Sequence, residues 1–143
     1  MDSDTEKADK ASWGRAVAAP FLGLAVLLAH QGVFFNWDWD AVNFVAMGIW
    51  TALALGVLVV AVSGGSWLVP RSLRPLANDD VTRANRDKAV MRGFIAAMIT
   101  AMIVFVVAPF EPLSAQRAAH LIVSFGLAMT LLSFGLEEIR SLG

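Results

Sequence analysis

The sequence predicts an all-α membrane protein whose four transmembrane helices form an up-down-up-down bundle. Three observations carry that prediction. Four apolar stretches fill most of the chain, charged residues make up only 16% of it, and ten of its eleven Lys and Arg lie on one side of those stretches. A soluble domain carries roughly 25% charged residues, and a chain of 143 residues that is 57% hydrophobic has more apolar side chain than a soluble core of that size can bury. Mean hydropathy is +0.64. Lipid is therefore the expected solvent, and a single membrane domain over 1–143 the expected organisation.

The first element is a tail, 1–13, with four acids and two lysines in Met1–Lys10. It has neither the positive n-region nor the small-residue cleavage site of a secretory signal, so the first apolar run is expected to stay in the protein. The spans follow at 14–35, 41–63, 89–110 and 117–136, each close to the ~20 residues that cross a hydrocarbon core as a helix. None has a charge in its middle, and helices are required because an unpaired backbone group in lipid costs several kcal/mol. Pro20 is expected in the first turns of the first span and Pro109 at the end of the third, where proline is tolerated.

Two outer links, Asn36–Asp40 and Glu111–Ser114, are short enough to make antiparallel hairpins. The cations set orientation. Lys7, Lys10 and Arg15 precede the first span, Arg71, Arg74, Arg83, Arg86, Lys88 and Arg92 separate the second from the third, and Arg140 follows the fourth; Arg117 alone joins Asp38, Asp40 and Glu111 on the other side. The positive-inside rule then puts both termini and the 64–88 loop in the cytoplasm of a bacterial inner membrane protein. Trp13 and Trp67 would lie at the inner interface, Trp37 and Trp39 at the outer one.

Packing between helices in lipid depends on small residues that let backbones approach. Gly48, Ala52 and Gly56 form one such ridge on the second span, and Gly93, Ala97 and Ala101 another on the third. These two spans are expected to pack on each other, or one ridge to receive another copy or a partner subunit. Met91, Met98 and Met102 are expected to be adaptable packing.

The 64–88 loop opens with Gly64-Gly65 and is kept extended by Pro70 and Pro75. Asn78 is a good N-cap, and Asp79 and Asp80 suit a first turn, so the third helix is expected to start near Asp79 and to project two to three turns beyond the lipid. Asp79 with Arg83, and Arg83 with Asp87, are spaced as i,i+4 pairs, while Arg86, Lys88 and Arg92 approach anionic lipid. Asp79, Thr82, Arg83 and Arg86 form the candidate docking face for a soluble cytoplasmic partner.

The run Asn78-Asp79-Asp80-Val81-Thr82-Arg83-Ala84-Asn85-Arg86, with Ser114-Ala115-Gln116-Arg117-Ala118-Ala119-His120-Leu121, resembles uncharacterised small four-span proteobacterial membrane proteins from about Leu76 onward. Some proteins of that kind are encoded beside helix-turn-helix regulators. The resemblance implies a role in holding such a regulator at the membrane, and it brings no catalytic residues.

Chemistry has few residues to work with. There is no cysteine, so disulfides, thiolate metal sites and Cys nucleophiles are excluded. No span carries an Asp, Glu, Lys or Arg in its middle for an ion relay, and no phosphate loop or Ser-His-Asp arrangement can be assembled. His30 and His120 lie at similar depth near the outer ends of the first and fourth spans, a pattern compatible with bis-imidazole haem ligation. A quinone or metal contact with Gln31, Gln116, Asp38 or Glu111 is a related alternative. Both histidines are expected to be plain interfacial residues, and Glu137 and Glu138 to be a solvated helix end. The expectation is thus a non-enzymatic regulatory or anchoring protein with no cofactor, no metal and no direct nucleic-acid contact. An accessory subunit of a larger membrane complex is the alternative, and a b-type haem protein the third reading.

Overall fold

The computed structural model describes residues 3–35, 41–63, 80–111 and 113–142, with side chains omitted for 3–9, 11, 29–35, 41–43 and 142. It is all-helical: α1 (Ser3–Phe35), α2 (Ala41–Ser63), α3 (Asp80–Val107) and α4 (Ala115–Leu142). The helices α2, α3 and α4 are each long and apolar enough to cross a membrane, and α1 contributes a shorter apolar stretch over Ser12–Leu28 among its described residues. The chain is a membrane protein.

Its burial pattern is inverted relative to a soluble bundle. The buried apolar residues are few and mostly small, Ala16, Val26, Val57, Ala89, Leu127 and Ala128, and they share the interior with Asn85, His120, Ser124, Ser133 and Glu138. Large apolar side chains point outward, among them Phe21, Leu28, Ile49, Phe94, Met102 and Phe105. In water such a surface would drive aggregation. In lipid it costs nothing, and interior space goes to groups that allow close approach or hydrogen bonding.

The hub of the fold is α4. It packs along α3 on one side and along α1 on the other, while α2 touches α4 and α3 only slightly. Ser12 lies level with Glu138, and Gly23 with Ala128–Leu132, so α1 runs antiparallel to α4. Gly93 and Ala97 meet Thr130 and Gly126, which makes α3 antiparallel to α4 as well. The second and third spans therefore do not pack on each other as expected. The Gly93/Ala97 ridge is filled by α4, with Ala101 half-buried, whereas Gly48, Ala52 and Gly56 are exposed and a Cβ on either glycine would meet open space.

Local chemistry explains how the elements meet. Ser114 caps α4: its Oγ accepts from the Arg117 amide at 3.3 Å, satisfying one orphan donor of the first turn. Pro20 is not in a first turn, because α1 already starts at Ser3; it lies inside the helix. Proline removes the N–H that would pair with the carbonyl four residues earlier, here Ala16. Gly135 faces that carbonyl and the proline ring: an added Cβ would overlap the ring and stand 2.8 Å from Ala16 O. Only a residue without a side chain lets α4 close over this spot.

At 1.5 Å per residue, the 33 residues of α1 are about 50 Å long, well beyond a ~30 Å hydrocarbon core. Because α1 and α3 both run against α4, their N-termini emerge at one end, beside the C-terminus of α4. That end carries Lys10, Arg15, Arg83, Arg86, Lys88, Arg92 and Arg140, and the opposite end carries Arg117 and Glu111.

Candidate functional site

The cation-rich end is built around two adjacent carboxylates of α4. Glu138 is 1% exposed, the largest fully buried side chain described. Ser12 Oγ of α1 donates to its Oε2 at 3.4 Å, and Asn85 Nδ2 of α3 donates to its Oε1 at 3.3 Å. Both bonds are long for their type, but together they join three helices at one side chain. Asn85 is itself buried, at 6% exposure, so the amide and carboxylate are each other's replacement for water.

Glu137, one step round the helix, faces outward. Arg92 Nη1 donates to its Oε1 at 2.7 Å, and Arg140 Nη1 stands 3.7 Å from the same oxygen. The Arg92 bond is short and charge-assisted, and it ties α3 to α4 one to two turns lipid-ward of Asn85. The expectation of a solvated terminus is thus corrected for Glu138: its position on the α4 surface, three residues after Gly135, turns it into the gap that glycine keeps narrow.

These two ties hold the first turns of α3. The helix begins at Asp80, with that carboxylate in its first turn, where the helix dipole favours negative charge. Beyond the Asn85 tie Arg83 is exposed and Thr82 half-buried, and between the two ties Asp87 and Lys88 are exposed and Arg86 half-buried. Asp87 pairs with Arg86 at 3.8 Å, so its partner is the neighbouring residue and not Arg83 as the spacing predicted. Asp79 lies outside the described residues, as does the Asp79–Arg83 pair. Of the docking residues, Thr82, Arg83 and Arg86 share the projecting helix start.

Near the other end, His120 is buried at 5% exposure. Its ring lies 4.7 Å from that of Trp50 on α2, tilted by 56°, and Nε2 is 3.4 Å from Ser124 Oγ. The interfacial reading of His120 is corrected: α2 covers it. The side chain of His30 lies outside the described residues. Any axial bond from His120 Nε2 to a haem iron would have to displace the Ser124 hydroxyl. Among the described residues no group of three or more His, Cys, Asp or Glu is placed to hold a metal ion.

The sequence reading missed the Ser12–Asn85–Glu138 junction. Its signal was faint: Glu138 follows Ala128, Leu131 and Gly135 on the α4 face that meets α1. The chain matches no protein-family model, no curated protein and no solved structure.

Proposed function

We propose that this chain is a non-enzymatic, multi-pass protein of a bacterial inner membrane, with both termini in the cytoplasm. Its 71–92 segment recruits a soluble partner through Asp79, Thr82, Arg83 and Arg86. The observation that carries this reading is the fixed helix start. Asn85 and Arg92 tie α3 to α4 through Glu138 and Glu137, while Arg83, Asp87 and Lys88 remain exposed between and beyond those ties. Charges held on a rigid helix set the register and on-rate of docking more than its raw affinity. A helix-turn-helix regulator is the partner class that the sequence resemblance implies. The cation-rich end, read with the positive-inside rule, supports the cytoplasmic orientation.

The test is co-purification from native membranes in a gentle detergent. Asp79→Ala with Arg83→Ala should leave insertion and helix content unchanged and release a soluble protein that the wild type retains. Equal retention by the variant, or none by the wild type, removes the docking role. The second reading, an accessory subunit of a larger membrane complex, draws on the exposed Gly48/Ala52/Gly56 ridge of α2. It gains ground if Gly56→Leu releases a membrane protein and leaves the soluble fraction unchanged.

A further inference from the structure

We propose that Lys88, Arg92 and Arg140 form a binding site for the headgroup of an anionic phospholipid. Three cations surround one carboxylate. Arg92 and Arg140 both direct Nη1 at Glu137 Oε1, at 2.7 and 3.7 Å, and the exposed Lys88 stands one helical turn before Arg92 on the same face of α3. Glu137 can neutralise one of the three. Glu138 is turned into the helix junction and bonded to Ser12 and Asn85, and Asp87 is paired with Arg86. Three cations against the one carboxylate that faces them leave this surface net positive.

The geometry suits a phosphodiester. The single hydrogen bond to Glu137 engages one N–H of Arg92, and a guanidinium presents five donors in a fixed fork. The side chains of Arg92 and Arg140 are 44% and 74% exposed, so their remaining donors are open to a ligand. Glu137 Oε1 itself would repel the phosphate, and its role is to hold the two guanidiniums side by side at a distance one phosphate can bridge. The site also has an apolar continuation. Ile95 and Ile99, one and two turns beyond Arg92, and Leu136, one turn lipid-ward of Arg140, are exposed aliphatic side chains. A headgroup at the cations would lay its acyl chains along them, which a free phosphate ester cannot do. Basic pockets between helix ends are a recurrent form of anionic-lipid recognition. The assignment does not depend on which protein docks at Arg83, or on whether any does.

Native mass spectrometry of the full chain in dodecyl maltoside provides the test, with phosphatidylglycerol, phosphatidylcholine and glycerol 3-phosphate titrated separately. Phosphatidylglycerol should bind more tightly than phosphatidylcholine, and glycerol 3-phosphate should not compete. Each cation near an anionic surface corresponds to a factor of about five in affinity. Arg92→Gln with Arg140→Gln should therefore weaken phosphatidylglycerol binding about 25-fold, whereas Arg117→Gln at the opposite end should change it less than twofold. Should the double variant misfold, Arg140→Gln alone leaves the Arg92–Glu137 bond in place and should weaken binding about fivefold. Equal binding of the two lipids, or an equal loss in Arg117→Gln, overturns the site. Competition by glycerol 3-phosphate at lipid-like concentration overturns the lipid assignment in favour of a soluble phosphate ester.

Discussion

Replacing Gly93 by alanine tests the α3–α4 contact that the fold depends on. A methyl group at this position would overlap the Thr130 hydroxyl and stand 2.7 Å from the Gly126 carbonyl oxygen. The hydroxyl donates to that same carbonyl at 2.9 Å, so moving it aside breaks a hydrogen bond. The carbonyl belongs to the α4 backbone. Reaching an ordinary contact of 3.4 Å needs a retreat of about 0.7 Å, which moves α4 as a body against α1. Overpacking of this kind costs about 1–3 kcal/mol, and the better helix propensity of alanine returns up to about 1 kcal/mol. Gly56→Ala is the internal control: the same chemical change inside a helix, but into open space. Propensity cancels between the two variants, so the difference isolates the overpacking, a factor of roughly 5 to 150 in the folded-to-unfolded ratio. Titration with sodium dodecyl sulfate from dodecyl maltoside micelles, read by circular dichroism, gives both midpoints. If the midpoints coincide, or Gly56→Ala is the less stable, α3 does not pack on α4 through Gly93.

Two further perturbations address the buried polar groups. Glu138→Ala strips the acceptors from Ser12 and Asn85, and an orphaned buried donor costs about 1–3 kcal/mol; Glu138→Gln keeps an oxygen for one of them and should lose visibly less in the same titration. Equal losses in the two variants would mean that burial of the side-chain volume, and not the hydrogen bonds, holds the junction. The absorption spectrum of protein purified from native membranes should show no Soret band, because His120 already packs on Trp50 and Ser124. A band abolished by His120→Ala would move the protein into electron transfer.

What the sequence determined by itself is what depends on composition and on charge along the chain. The apolar runs specify helices because lipid leaves the backbone no other partner. The clustering of Lys and Arg specifies one cation-rich end because that end follows from counting charges between spans. The start of the third helix, expected near Asp79 and found at Asp80, was legible because the preferences of a first helical turn are local; the Ser114 cap ahead of the expected start of the fourth span was not read. What only the tertiary structure decided is how each helix is rotated about its axis. Small-residue spacing showed that Gly93 and Ala97 could receive a neighbour, but not that the neighbour is α4, since Gly48 and Gly56 carry the same pattern and stay uncovered. Glu137 and Glu138 are identical residues side by side, and a helix places successive side chains about 100° apart. One therefore meets Arg92 at the surface while the other enters the junction with Asn85 and Ser12. That choice is fixed by contacts at distant positions of the same helix, Gly126 against α3 and Gly135 against Pro20 of α1, and no window of sequence around the two acids contains it.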